Sequence, residues 1–266
     1  MIDVQNRPDN RGIKIPRAGV TRLKLPFYIS DGGEVQPVTA EIKFTVSLSE
    51  KLRGTHMSRL AEILTERTKE PLTIPDTEKI LSEAIEKLDA DFSALEMSFK
   101  FFVKRVSPVS ELKSLLDVDC KFSGELYRGE RMNFELTLTV PFTSLCPCSR
   151  EISDFGAHNQ RSLCTVKLNF KDPDKLPEIK IDEIVKLIES QGSAKILPLL
   201  KREDEKFVTE SAYSNPKFVE DILRDVVLAV RKIKNLSAFE IECENFESIH
   251  NHNAFAAYSE NISGEG

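Results

Sequence analysis

Two short segments gather two of the five cysteines and three of the four histidines of this 266-residue chain. "TSLCPCSREISDFGAHNQRS", residues 143–162, holds Cys146, Cys148 and His158, and "ESIHNHNAFAAY" holds His250 and His252. Thiolate sulfur and imidazole nitrogen together suit zinc and related divalent ions. Pro147 biases Cys146 toward extended backbone, in which residues i and i+2 project to one side, so the two cysteines are expected to face one site. His250 and His252 share a face on the same condition. The plain alternatives are cysteines that pack as small hydrophobes in a reduced interior and a stray surface pair of histidines. Spacing alone leaves both open.

Carboxylates lie between the two segments. "LPLLKREDEKFVTESAYSNPKFVED" is dense in charge, and Glu203, Asp204, Glu205 and Glu210 are expected mainly as a solvated face. Each is also competent as a further ligand or a general base. Glu220 has the simpler role of a favourable charge near a helix N-terminus.

The elements that must position these groups show in the hydrophobic period. Val20–Ile29 and Val38–Leu48 alternate apolar and polar residues around the turn "SDGGE", which predicts a hairpin. "MSRLAEILTERT" and "TEKILSEAIEKLDADF" carry apolar residues at helical spacing, parted by the two prolines of "KEPLTIPD". "SALEMSFKFFVKRV" and "LLDVDCKFSGELY" return to a strand pattern, closing a ββααββ unit near Tyr127. The order then recurs. Residues 131–142 and 162–170 are expected strands, 181–190 and 215–233 helices, and "SAFEIECENF" and "NAFAAYSE" strands. In the 215–233 helix Asn215 is the expected cap and Pro216 sits in the first turn, ahead of one apolar face from Phe218 to Val230. The fold class is therefore α+β, with two tandem ββααββ modules, 1–129 and 130–266, antiparallel sheets and helices on one face. The first hairpin of the second copy is opened into a long loop, residues 143–161, and loops on a rigid scaffold are where function concentrates.

Composition removes several classes. The net charge of −6 is spread over interspersed residues with no basic stripe, so nucleic acid is excluded as the main partner. No apolar run approaches the roughly 20 residues that span a bilayer. An odd, sparse set of cysteines and the opening "MIDVQNRPDN", which lacks a signal-peptide layout, point to a reducing, cytoplasmic setting.

"SLCPCSREIS", "GAHNQRS", "REDEKFVTE", "NPKFVED", "SIHNHNAFA" and "RGTHMSRL", with "DVQNRPDNRGIKIPRAGV" at the start, resemble in order the signature segments of the type IB GTP cyclohydrolases. The resemblance implies a tunnelling fold and a homotetramer with active sites at subunit interfaces. It implies opening of the GTP imidazole ring at C8, release of formate, and closure to 7,8-dihydroneopterin triphosphate, the first step toward folate. It also implies a divalent metal, manganese or zinc and in some members iron, held by Cys146, His158, Glu205 and His250. Glu203 stands where many members have proline, and Cys148 is placed as an alternate thiol. Glu220 falls on the purine anchor and Glu247 on a proton-transfer position, with Cys146 and Glu205 also counted among the catalytic residues. Arg53, His56, Arg59, Arg150, Arg161, Lys201 and Arg202 form the cationic pool for the triphosphate. The rival readings are an archaeal-type cyclohydrolase with a cyclic phosphate product and a non-enzymatic metal or nucleotide binder. A nitrile reductase of the same fold needs a free thiolate, which the Cys, His, Glu, His set argues against.

Overall fold

The fold is seen in a computed structural model that describes residues 5, 7–172 and 180–262. Asp3, Val4 and Asn6, in the opening stretch of the resembling sequence, lie outside them. The chain runs β1 (Ile15–Asp31), β2 (Glu34–Leu48), α1 (Met57–Arg67), β3 (Pro71–Leu72), α2 (Ile74–Leu88), β4 (Phe92–Val106) and β5 (Lys113–Tyr127). It continues with β6 (Asn133–Leu145), α3 (Pro147–Ile152), β7 (Asn159–Phe170), α4 (Ile181–Glu189), β8 (Ala194–Lys195), α5 (Arg202–Ser214), α6 (Val219–Val230), β9 (Leu236–Asn245) and β10 (Ala254–Asn261). The expected ββααββ order thus occurs twice, with β3 added to the first pass and α3, β8 and α5 to the second. Among the described residues the strands follow the order β10-β9-β7-β6-β5-β4-β2-β1-β3, with β8 paired to β6. The β1–β2, β2–β4, β6–β8 and β9–β10 pairs are antiparallel, and only the two-residue β3 is seen to run parallel, to β1. No helix among the described residues is long and apolar enough to cross a membrane.

The chain divides into two compact units. The first is Met1–Lys100, Cys120–Leu136 and Asn169–Glu178. Its β1–β2 hairpin turns through Gly32 and Gly33, at φ 56° and 88°, the left-handed pair that a two-residue turn between twisted strands requires. Alternate residues of β2, from Val38 through Ala40, Ile42 and Phe44 to Val46, are buried, as period-2 patterning demands. The helix α2 begins within the proline-bearing segment rather than after it. Pro75 sits in its first turn, Asp76 accepts from the Thr73 N–H at 2.9 Å, and Asp89 ends it in the left-handed region.

The second unit is Phe101–Asp119, Thr137–Leu168 and Ile179–Gly266. Its core lies under α4 and α6, whose Ile184, Val185, Ile188, Ile222, Val226 and Val230 are buried. Three sequence expectations change here. First, α6 starts at Val219, not at Asn215: the Asp221 carboxylate accepts the Phe218 N–H at 3.1 Å and caps the helix. Asn215 ends α5 instead, and its amide donates to the Gly192 carbonyl at 3.1 Å. Second, the charged 202–214 segment is a helix, although only Asp204 and Ala212 on it are buried. Third, Asp204 is not solvated. It is fully buried and accepts from the backbone N–H groups of Val109, Ser110 and Lys201 and from the Ser110 hydroxyl. Burial pushes its carboxyl up, but the Ser110 hydroxyl and those N–H groups outweigh it and hold the pKa well below the ordinary carboxylate range. The unit also buries an ion pair, Arg105 to Glu189 at 2.8 Å, with side chains 4% and 1% exposed.

Candidate active site

The opened hairpin is built around a strand end and a short helix. β6 finishes at Leu145, and Cys146 caps α3, with Pro147 at the first helical position, where a missing N–H costs nothing. Cys146 is extended, as expected, and its sulfur accepts the Ser149 N–H at 3.5 Å. Cys148 does not continue that extended backbone. Because Pro147 starts a helix rather than continuing a strand, Cys148 lies within α3 and is exposed. The loop closes on itself: the Cys146 N–H donates to the His158 carbonyl at 3.2 Å, and Ser149 Oγ donates to the Cys146 carbonyl while accepting the His158 N–H, each at 3.2 Å. Gly156, at φ 129°, occupies backbone that a Cβ would strain.

His158 enters β7 over a buried polar network. Its Nδ1 lies 2.9 Å from Gln160 Oε1, and Gln160 Nε2 donates to Ser144 Oγ at 2.9 Å and to Glu247 Oε1 at 3.5 Å. Ser162 donates to the same Ser144 hydroxyl at 2.8 Å. Glu247 Oε2 stands 3.8 Å from His158 Nδ1, with side chains 14% and 11% exposed. The turn after β9 carries the remaining histidines. The His250 N–H donates to the Glu247 carbonyl at 3.1 Å, which sets the His250 ring edge-to-face with His158 at 6.4 Å between centroids. His252 stacks on His250 at 5.1 Å, so the pair shares a side through a turn, not through a strand.

Nearly the whole chain, these groups included, matches one family. The family model described as type I GTP cyclohydrolase folE2 matches residues 1–256. The chain belongs to that family. GTP cyclohydrolase FolE2 of Azoarcus sp. (strain BH72) is 44% identical over 255 residues, covering 96% of this chain and 93% of that protein. GTP cyclohydrolase FolE2 of Geobacter sp. (strain M21) is 45% identical over 256 residues, with 96% and 93% covered. Family membership makes the chain a GTP cyclohydrolase, a hydrolase of folate biosynthesis. In structure the chain is similar to uricase from Arthrobacter globiformis, with a TM-score of 0.54, 7% identity and 94% of each chain covered. Urate oxidase from Bacillus sp. TB-90 gives a TM-score of 0.54 at 8% identity, covering 94% of this chain and 100% of that one. At such identities the likeness concerns the fold alone, which is the tunnelling α+β class.

The family implies a metal-dependent enzyme, and in this chain Cys146 and His158 are joined by a backbone hydrogen bond while the His158 ring faces that of His250. Thiol and imidazole suit a divalent ion in kind, and the Gln160 contact engages only the Nδ1 side of the His158 ring. Among the described residues no three His, Cys, Asp or Glu side chains stand close enough to form a finished cage. Glu205 is exposed on α5, where it lines an open depression with Arg202, Lys206, Thr209 and Glu210. Glu220 is exposed in the first turn of α6.

The cations are spread out. Arg150 lies with its guanidinium carbon 4.8 Å from the centre of the Tyr213 ring, and Arg161 is exposed on β7 while its carbonyl accepts the Phe246 N–H at 3.0 Å. Lys201 and Arg202 are exposed at the start of α5. Arg53, His56 and Arg59 lie in the first unit, where Arg59 donates to the Lys87 carbonyl at 2.8 Å and His56 precedes α1. Ser144, Ser149 and Gln160 were not singled out from sequence. The signal was there: Gln160 and Ser162 occupy the register of β7 that Cys164, Val166 and Leu168 fill with apolar groups.

Proposed function

We propose that the chain opens the GTP imidazole ring at C8 with water, releases formate and closes the remaining atoms into the pterin ring of 7,8-dihydroneopterin triphosphate. The observation that carries this reading is His158, bonded through its backbone to Cys146 and flanked by the His250 ring and Glu247, in a chain of this family. Cys146, His158, Glu205 and His250 would hold the divalent ion, manganese, zinc or iron, with Glu205 the labile ligand. When bound, the ion supplies Lewis acidity and a water of lowered pKa.

The protein groups do the rest. Glu247, close to His158 and largely shielded, is placed to hold a proton during ring opening and to return it on closure. Glu220 offers two acceptor oxygens to the guanine ring N–H and exocyclic amine, a bidentate match that reads the base. Arg53, His56, Arg59, Arg150, Arg161, Lys201 and Arg202 are the pool from which triphosphate contacts come, and those of the first unit would serve a site shared between copies in a homotetramer. The tandem modules divide at 129/130, and the enzyme works in the cytoplasm.

The test is direct. Chelator-stripped protein is incubated with GTP, with and without manganese or zinc, and formate and the oxidised fluorescent pterin are measured. Metal-dependent appearance of both supports the reading. Stoichiometric metal binding with neither product would remove GTP as substrate.

A further inference from the structure

We propose that Gln160 is a positioning residue that transmits the charge of Glu247 to His158 and so selects the ring nitrogen His158 offers to a metal. This rests on the assignment of His158 as a ligand. A carboxylate only accepts, so the Gln160 group 3.5 Å from Glu247 Oε1 must be the NH2 donor. The same NH2 donates to Ser144 Oγ at 2.9 Å. With the amide turned that way, Gln160 Oε1 is the atom 2.9 Å from His158 Nδ1, and an amide oxygen only accepts. Nδ1 must therefore carry the hydrogen, and the lone pair is left on Nε2. Glu247 Oε2, 3.8 Å from Nδ1, favours the same arrangement. The reverse amide would set its oxygen against the Glu247 carboxylate. Ser162, which donates to Ser144, fixes the far end of the chain of bonds.

Gln160 is 7% exposed and Ser144 and Ser162 are fully buried, so water does not compete for these bonds. A polar trio on the inward face of two strands, where apolar residues would pack more stably, is a cost that this orienting role explains.

The experiment measures zinc affinity of the metal-free protein by competition with a chromophoric chelator, together with thermal unfolding of the metal-free form. Gln160→Met keeps the volume and removes the acceptor, and zinc affinity should fall by about 10–100-fold. Gln160→Glu combined with Glu247→Gln keeps an acceptor facing Nδ1 without setting two carboxylates together, and should recover most of that loss. A residue that only packs would behave the other way, because Met suits a buried site better than Glu. Zinc affinity of Gln160→Met equal to the parent, or the Gln160→Glu, Glu247→Gln double variant as weak as Gln160→Met, would overturn the proposal. His158→Ala separates the two levels. If it binds zinc as the parent does, the ligand assignment itself fails, whereas loss in His158→Ala with no change in Gln160→Met removes only the role of Gln160.

Discussion

The β1–β2 hairpin turns through two glycines, whereas the β6–β7 hairpin turns through residues 146–158, which fold α3 and carry Cys146 and His158. The two begin from the same ββαα order. In the first, Asp31 pairs directly with Glu34, so every residue near the tip is used for register. In the second, the ladder stops at Leu145, and Ser149 bonds take over the closing of the loop. The proposed catalytic groups therefore fall where the repeat is relaxed, while the tight copy is taken up by strand register. The same contrast holds for charge. Unit 1 has ion pairs on its surface, such as Lys43 with Glu96 at 2.8 Å, while unit 2 also buries one, Arg105 with Glu189.

Five substitutions would break or sharpen that contrast. The largest effect is expected in the open loop: Cys146→Ala should abolish formate release while circular dichroism and assembly stay unchanged, and a parallel loss of fold would make the loop structural. Next, Glu189→Ala takes the closer of two carboxylates from the buried Arg105 guanidinium, leaving Asp182 at 3.5 Å, and should cost up to about 3–5 kcal/mol in urea unfolding. A neutral result would mean that Arg105 finds water.

Third is the carboxylate under α5. The folded pKa of Asp204 is held below its unfolded value of about 3.9, so its contribution is complete above that value and is lost as pH falls through the folded one. The parent should lose melting temperature on acidification, and Asp204→Asn, already lower at neutral pH, should lose less. Parallel curves would deny the carboxylate its part. Fourth, Gly33→Ala in the tight turn should cost about 1–2 kcal/mol through left-handed backbone with kcat unchanged; a fall in kcat would tie the scaffold copy to the chemistry. Smallest is Lys43→Ala, where an exposed pair should yield only about 0.2–1 kcal/mol in a denaturant titration.

Much of the architecture was legible in the hydrophobic period. β2, β4, β7 and β9 alternate, α2, α4 and α6 have one apolar face, and each was located to within a few residues because burial of that face is a local pattern. The errors share one cause. Asn215 and Asp221 are both ordinary capping residues, and only the packed structure shows that Asn215 reaches the Gly192 carbonyl and leaves the cap of α6 to Asp221. The helix α5 lacks a broad apolar face, so nothing local announced that Asp204 would be drawn into the 109–110 turn.

By itself the sequence determined the α+β class, the doubled element order, the family, and the residue types that meet at the candidate site. These depend on periodicity and on long ordered motifs, which are properties of neighbours along the chain. Tertiary structure alone decided that Cys148 falls in a helical turn and is exposed, that Asp204 is buried, and that Ser144, Gln160 and Glu247 converge behind His158. Those are contacts between strands and turns up to 87 residues apart, and no spacing rule along one chain fixes a hydrogen bond that two separate strands must meet to form.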